Sequence, residues 1–322
     1  MIRASVIATL ALFTALASPG SALAADYPVR PVKWIVPYPP AGTTDVLARI
    51  VAQWLTEKLG QPFLVENKPG AGNNIGVEFV VNSPADGYTM LLVNPANGIN
   101  ATLYKNLNYN FIRDITPVAG LVRAPNVMEV TPSLPVNTVA EFIAYCKANP
   151  GKVNMASSGS GTSVHLSGEL FKSMTGCDML HVPYKGAGPA LVDLMGGQVH
   201  VLFDNLPSSI GHIKNGKLRA LAVTSDGREP SLPGVPTVGE TVPGYEATAW
   251  FGIGMPKGTP RDIIDKINAE VNRALADPKM RERLAELGGR PIGGTPEDFG
   301  KVIAAETAKW EKVVISSGAK VE

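Results

Sequence analysis

The chain has 322 residues, which is enough for two ordinary domains with full hydrophobic cores. Charged residues make up 18% and apolar residues 45%, and this composition excludes an intrinsically disordered chain. The formal net charge is +1 and the sequence has no basic stripe, so nucleic acid is not an expected partner.

Residues 1–24 have the three parts of a secretory signal peptide. Arg3 supplies the positive start, residues 6–17 form an apolar stretch too short to span a membrane, and residues 22–24 (Ala-Leu-Ala) are a cleavage site. Removal of Arg3 leaves 28 basic residues against 28 acidic ones, because 29 basic residues include Arg3. We therefore expect an exported mature protein with a formal charge of zero.

The mature chain starts with a strand, a turn and a long amphipathic helix. Residues 32–36 are a predicted buried strand, and the prolines of the turn at 37–42 end it. Gly42 lets the backbone turn closely, Thr43 suits a helix cap, and apolar residues recur at helical spacing over 44–58. The free N–H groups at this helix start form a natural seat for an anion such as a carboxylate.

Further strands and helices alternate along the chain. We predict strands over 63–66, 88–93, 118–130, 153–157, 179–182, 199–203, 218–224 and 249–254. We predict helices over 74–82, 138–148, 162–175, 189–195, 260–276, 279–287 and 296–316, a short helix between 203 and 218, and irregular chain over 95–117 and 226–245. This alternation predicts an α/β protein whose parallel sheets are covered by helices.

The predicted strands at 118–130 and 249–254 separate two strand–helix series, and we interpret both as crossovers between lobes. The sequence thus predicts two lobes with a cleft between them. Lobe 1 is discontinuous and comprises residues 25–122 and 250–322, whereas lobe 2 comprises residues 123–249.

One motif occurs once in each lobe. VPYPPAG at residues 36–42 and VPYKGAG at 182–188 both follow a predicted strand and precede a predicted helix. We therefore expect the two helix N-termini to face each other across the cleft.

The loop at 157–163, SSGSGTS, places hydroxyl groups and flexible backbone N–H groups at the start of a helix. This pattern favours contact with a ligand, and its structural alternative is a helix cap that needs only one of the hydroxyls. No Gly-Lys-Ser/Thr follows the loop, which excludes a nucleotide P-loop. Ser160 and Ser163 do not fit a nucleophile elbow, because Ser158 and His165 stand at positions that require glycine.

Two further polar positions allow both a functional and a structural interpretation. His165 lies two residues after Ser163, where it would contact a ligand or hydrogen-bond to the neighbouring loop. Asp204 and Asn205 follow the strand at 199–203, so they either point to the cleft or form a turn.

Cys146 and Cys177 are the only cysteines, and the sequence leaves open whether they form a disulfide or stay as two buried thiols. The four histidines are scattered, and no cluster accompanies the cysteines, so we expect no metal ion. We also expect no cofactor.

Several motifs together resemble one family, the receptors of tripartite tricarboxylate transporters, also called Bug-type solute-binding proteins. The resemblance covers essentially the whole mature chain. The motifs are VPYPPAGTTDVLAR, ENKPGAGNNIG, DGYTMLLV, ASSGSGTSVHLSGELFK, HVPYKGAGPALVDLMGGQV, FDNLPSS and PKGTP.

The resemblance implies a periplasmic receptor with a type II, Venus-flytrap binding-protein fold and no catalytic residues. Such a receptor captures an organic acid, with the first loop holding a carboxylate partly through ordered water, and delivers it to a membrane permease; we expect it to be a monomer. Carried over by motif, the ligand-binding residues are Tyr38, Pro40, Ala41, Gly42, Thr43, Asp45, Ser158, Gly161, Thr162, Ser163 and His165, with Lys185, Gly186 and Asp204 as additions.

The sequence departs from the family pattern at three positions. Ala41 and Asn73 stand where the family usually has glycine, and His200 replaces a frequent aspartate. We expect Ala41 to change how closely the carboxylate approaches the backbone.

Two other functions compete with transport. One is a sensor that presents its bound ligand to a membrane kinase, and the other is an exported hydrolase or lyase that uses Ser163 or His165. Recovery of an added carboxylate unchanged distinguishes binding from catalysis.

Overall fold

The structure, a computed structural model, describes residues 26–319. The predicted signal peptide, residues 1–24, lies outside the described residues. Ten strands are β1 Val32–Val36, β2 Phe63–Asn67, β3 Thr89–Val93, β4 Ile115–Val130, β5 Val153–Ser157, β6 Met179–Pro183, β7 Val201–Asn205, β8 Arg219–Val223, β9 Thr248–Pro256 and β10 Arg290–Pro291.

Eleven α-helices lie within the same described part of the chain. They are α1 Thr43–Leu59, α2 Asn74–Val81, α3 Pro95–Leu103, α4 Phe111–Asp114, α5 Val139–Ala148, α6 Ser163–Thr175, α7 Ala187–Met195, α8 Leu206–Lys214, α9 Arg261–Ala276, α10 Pro278–Glu286 and α11 Pro296–Ser317. The predicted α/β class is confirmed.

The strands form one curled sheet with two parallel groups. Its order is β2-β1-β3-β9-β4-β7-β5-β6, and β8 and β10 also pair with β4. Strand β1 is parallel to β2 and β3, and β5 is parallel to β6 and β7.

The long strand β4 joins the two groups. Residues 115–125 pair antiparallel with β9. Residues 126–130 pair antiparallel with β7, and residues 127–130 pair antiparallel with β8 on the other side. In a parallel group the carboxyl ends of all strands lie at one edge. The turns after β1 and β3 therefore meet the turns after β5, β6 and β7 near the middle of the molecule.

Hydrophobic cores lie on the faces of both groups. Trp34, on β1, is buried against one face of α1, as the helical spacing predicts. Phe171 and Phe203 are buried together in the second group. Helix α11 contributes to both, since Phe299 packs near β1 and Trp310 packs with the second group. The lobe boundaries given above stay a prediction.

The segment predicted to be irregular at 95–117 contains α3 and α4, so that prediction was wrong. Asn94 caps α3 because its Oδ1 accepts the backbone N–H of Ala96, and Pro95 occupies a first-turn position where no amide hydrogen is needed. Helix α7 also begins earlier than predicted, at Ala187, so Pro189 is not its first residue.

Other local features follow the sequence more closely. Thr138 caps α5, as predicted, and Glu141 accepts the N–H of Asn137. Cys146 and Cys177 are buried as free thiols. Among residues 26–319, no helix is long and apolar enough to pass through a membrane.

Candidate functional site

A narrow cleft with a cavity volume of about 20 Å³ lies where the turns of the two parallel groups meet. Its twelve lining residues include no aspartate, glutamate, histidine, lysine or arginine, and Tyr38 is the only one with an ionisable side chain. The wall on the β1 side consists of Tyr38, Gly42, Thr43, Thr44, Asn94, Pro95 and Phe251. The wall on the β5 side consists of Ser158, Thr162, Ser163, Ala187 and Asn205.

Five helices begin at this cleft. The N-caps of α1, α3, α6 and α8 line it, and so does the first residue of α7. Helices α1, α7 and α8 have no side-chain cap, so their first-turn N–H groups are not taken up by a capping side chain. Each helix start adds partial positive charge, and all five favour an anion in the cleft.

The two copies of the repeated turn pack against each other, as the sequence predicts. A Cβ placed on Gly42 would lie 3.7 Å from the Cβ of Ala187, and one on Gly186 would come within 2.7 Å of Pro39 Cδ. Gly186 therefore allows the close approach of the turns and does not line the cleft. The carbonyl oxygen of Pro40 lies 3.5 Å from the same test position on Gly188, so Pro40 belongs to this contact too.

Asp45 lies behind the first turn and organises it. Its carboxylate accepts hydrogen bonds from Ala41 N–H (3.1 Å), Asn67 Nδ2 (3.0 Å) and both Nε and Nη2 of Arg49. Burial alone would raise the pKa of Asp45, but the hydrogen bonds from Arg49, Asn67 and Ala41 lower it overall. The ionised carboxylate fixes the turn, and it faces away from the cleft lining.

Ala41 has φ of 72°, in the left-handed region where a glycine is usual. Asn73 has φ of 76°. Both departures from the family glycine pattern therefore fall at positions where an L-residue is strained, and asparagine tolerates this conformation better than alanine.

Asn94 is a cleft residue that the sequence prediction did not include among the site residues. Its Oδ1 accepts Ala96 N–H (3.1 Å) and Tyr38 O–H (3.4 Å), which fixes the orientation of the amide. Its Nδ2 is buried with no hydrogen-bond partner. A buried donor without a partner is costly, so a ligand acceptor in the cleft would satisfy it. The sequence signal for it was its place directly after a buried strand and before Pro95.

The Ser/Thr loop contributes Ser158, Thr162 and Ser163 to the cleft. Thr162 caps α6 by accepting the N–H of His165 (3.2 Å), and its hydroxyl donates to Gly159 O (2.7 Å). Gly161 packs against the opposite wall, because a Cβ there would come within 2.3 Å of Asn100 Oδ1. Gly161 thus permits the approach of the walls and lies outside the cleft lining.

His165 lies beneath this loop and is 2% exposed. Its Nδ1 accepts the N–H of Gly161 (3.3 Å), and its ring stacks on His181 at 3.9 Å between centroids. Burial first, then the nearby His181 and Lys172, lowers the pKa of His165 to about 3, so the ring is neutral. His165 thus hydrogen-bonds to the loop, as one of the two interpretations from the sequence expects, and its contact with a ligand stays a prediction.

Asp204 and Asn205 point in opposite directions, as neighbours on a strand do. Asn205 lines the cleft, where its Nδ2 donates to Ser163 Oγ (3.2 Å) and Asn126 Oδ1 (2.6 Å). Asp204 is 1% exposed and lies behind the wall. Lys185 lines an adjoining cavity, which shares Tyr38 and Ser158 with the cleft.

Six of the fourteen predicted site residues therefore line the cleft. They are Tyr38, Gly42, Thr43, Ser158, Thr162 and Ser163. Six other residues also line it, namely Asn205, for which the sequence left a cleft position open, and Thr44, Asn94, Pro95, Ala187 and Phe251.

Comparisons with known proteins give a consistent result. The sequence pattern of the tripartite tricarboxylate transporter family receptor matches residues 47–318. The chain is similar in structure to R. palustris Rpa4515 with adipate, with a TM-score of 0.90, 42% identity, and coverage of 92% of this chain and 100% of the other.

Two further solved structures are similar over nearly the same length. The periplasmic binding protein BugD has a TM-score of 0.88 and 35% identity, with 92% of this chain and 100% of the other covered. MatC from Rhodopseudomonas palustris with bound malate has a TM-score of 0.85 and 33% identity, with 89% and 100% covered.

Proposed function

The chain belongs to the tripartite tricarboxylate transporter receptor family. On that premise we propose that its cleft binds the carboxylate group of a small organic acid. The receptor then delivers the acid to the permease subunits of such a transporter. The resemblance read from the sequence motifs is confirmed. Proteins of this family are solute-binding receptors and not enzymes. The similar structures hold adipate and malate, which are both dicarboxylates.

The convergence of five helix N-termini on a cleft without a basic side chain carries this proposal. Micromolar binding needs roughly −8 kcal/mol. Hydrogen bonds to a charged group contribute about 1.5–3 kcal/mol each, and each helix terminus contributes about 0.3–1 kcal/mol. A few backbone donors together with Asn94 Nδ2 thus suffice for a carboxylate without an arginine.

The geometry around Ser163 and His165 supports binding without catalysis. Ser163 Oγ accepts a hydrogen bond from Asn205, and His165 Nδ1 accepts the N–H of Gly161. A nucleophile and its general base need a direct hydrogen bond, and both of these side chains are engaged with other groups.

The remaining parts of the proposal concern the whole protein. The two lobes comprise residues 25–122 with 250–322 and residues 123–249, and the acid binds between them. The chain is exported to the periplasm after cleavage near Ala24 and acts as a monomer. Family members are periplasmic binding proteins, which supports this location.

A thermal-shift screen of the mature protein against carboxylates tests the function. At a ligand concentration of 100 times Kd, binding adds about 2.7 kcal/mol of stability. We expect a dicarboxylate such as adipate or malate, or a related acid, to raise Tm, and the uncharged adipamide to leave it unchanged. If no carboxylate in a broad panel raises Tm, or if adipamide acts as well as adipate, the proposed function is wrong.

A further inference from the structure

Two buried carboxyl groups, Glu129 on β4 and Asp204 at the end of β7, lie behind the cleft wall. Glu129 is 0% and Asp204 is 1% exposed. Ser209 Oγ lies 2.6 Å from Glu129 Oε1 and 2.9 Å from Asp204 Oδ2. A serine hydroxyl has a single proton, so it donates to only one carboxyl. The other contact requires a proton on the second carboxyl group, and the pair therefore holds at least one proton.

Glu129 is the group that keeps this proton. Burial, followed by the charge of Asp204, raises the pKa of Glu129 far above its usual value, and the hydrogen bond shared with Ser209 opposes this only in part. Neutral Glu129 donates to Ser209, and Ser209 donates to Asp204. Burial raises the pKa of Asp204 to about 6, against the opposing hydrogen bonds from Ser208, Ser209 and the Asn205 backbone.

Four ion pairs on the surrounding elements join charged groups to each other and not to Glu129 or Asp204. They are Asp45 with Arg49, Glu169 with Lys172, Glu229 with Arg290, and Glu306 with Arg123.

The other titratable groups nearby also have different partners or lie at a distance along a helix. Arg219 donates to the carbonyls of Leu134 and Val136, and Tyr184 O–H donates to Asp193. His165 accepts Gly161 N–H, and His181 contacts Ser157. His212 and Lys214 lie in the last turn of α8.

A hydrogen-bonded link connects Asp204 to the cleft. Ser208 Oγ donates to Asp204 Oδ2 and lies 3.0 Å from Thr43 Oγ1, which belongs to the opposite wall. Asn205, the residue after Asp204, also lines the cleft. Two hydroxyl groups, those of Ser208 and Thr43, therefore connect the buried carboxyl of Asp204 to the place where an anion would sit.

We propose that carboxylate binding in this cleft is coupled to uptake of a proton by Asp204. This inference rests on the proposed function. An anion in the cleft is a like charge close to a buried and uncompensated carboxylate, and it favours the neutral form of that carboxyl. By linkage, protonated Asp204 favours the anion, so affinity rises as pH falls.

Isothermal titration of the wild-type chain with adipate and with malate from pH 5.5 to 8.5 tests the coupling. If binding raises the pKa of Asp204 by one unit, Kd increases about tenfold as pH rises through this window. Near pH 6.5 the same shift predicts uptake of about half a proton per ligand, measured from the heats in buffers of different ionisation enthalpy.

Asp204→Asn is the main variant, because it is neutral and nearly isosteric. We expect its Kd to be at least as low as the wild-type value at pH 8 and to lose the extra pH dependence. Protonation of the ligand itself affects the wild type and the variant equally, so it cancels when their pH dependences are compared. His212→Gln, at the far end of α8, is the matched control and should keep the wild-type pH dependence.

The outcomes separate the two proposals. A wild-type chain that binds a carboxylate without proton uptake refutes the coupling, and this measurement needs no variant to fold. An Asp204→Asn variant with the wild-type pH dependence refutes it as well, as does loss of that dependence in His212→Gln. Failure of every carboxylate to bind at every pH refutes the proposed function itself, and the coupling with it.

Discussion

Asn94→Asp is the sharpest test of the cleft, because it changes one donor into a charge and keeps the local fold. Asn94 Oδ1 accepts the N–H of Ala96 and caps α3, and aspartate is an equally good cap. The unpartnered Nδ2 becomes a second carboxylate oxygen, and its charge would repel an anion bound beside Asn94 in the cleft. The protein should therefore fold normally and lose its ligand.

The magnitude follows from the two changes at this atom. Loss of a hydrogen bond to a charged acceptor costs about 1.5–3 kcal/mol. Two like charges about 4 Å apart repel by about 4 kcal/mol at an effective dielectric constant of 20. Together these terms weaken binding by more than about a thousandfold. Asn94→Ala removes only the donor and the cap, so it should bind about 10- to 100-fold more weakly and lose about 1 kcal/mol of stability.

Isothermal titration at pH 8, where the new aspartate is ionised, measures both variants with the best carboxylate from the thermal-shift screen. Urea unfolding of the ligand-free proteins provides the stability comparison. Wild-type affinity in Asn94→Asp would refute the assignment of Nδ2 to the ligand. Equal losses of affinity in both variants would show that the cap, and not the donor, controls binding.

Three further predictions concern the turn and the buried acid. Gly42 has φ of −82°, and a test Cβ there lies 3.7 Å from Ala187, so Gly42→Ala should keep the stabilisation by ligand in a thermal-shift assay. The larger Gly42→Val should abolish this stabilisation and leave the circular dichroism spectrum unchanged. Unfolding of Gly42→Val would instead indicate that the turn has a purely structural role. Ala41→Gly removes the backbone strain of the left-handed φ of 72°. After subtraction of the entropic cost of glycine, we expect the free energy of unfolding in urea to rise by about 0.5–1 kcal/mol. A lower free energy of unfolding in the variant would show that Ala41 is not strained. Burial raises the pKa of Asp204 from 3.8 to about 6, so the wild-type protein loses stability as pH rises from about 4 to 6. Relative to the wild type, Asp204→Asn should therefore become more stable by up to about 3 kcal/mol between pH 4 and pH 8 in urea unfolding. A stability difference between the two proteins that does not change with pH would contradict the raised pKa.

Local pattern was enough to predict the strand–turn–helix units and the anion seat at the start of α1. Strand β1, the turn at 37–42 and the helix after it depend on residues that are neighbours in sequence, and their spacing alone specifies their conformation. The facing arrangement of the two repeated turns was also predictable, because one copy stands in each strand–helix series.

The segment at 95–117 shows where local reading fails. Its asparagines look like loop residues, but Asn100 donates to Asn74 and Gly72 O, and Tyr109 O–H donates to Asn74. These hydrogen bonds give polar side chains of the segment partners that are far away in sequence. Composition alone therefore gives the wrong structure for α3.

Side-chain direction was the other quantity that the sequence left open. The sequence left both a ligand contact and a structural role open for His165 and Asp204. In the structure His165 stacks on His181 of strand β6, Asp204 lies beside Ser209 and Glu129, and neither lines the cleft.

Short-range spacing and motif chemistry were enough to predict the α/β class, the family and the anion seat at the start of α1. Which side chains reach the cleft depends instead on how the whole chain packs. Asn94 follows β3 and Asn205 ends β7, more than a hundred residues apart, and both line one cleft because β3 and β7 end at edges that the curled sheet brings together. Strand pairing is a long-range property, and no local pattern encodes it.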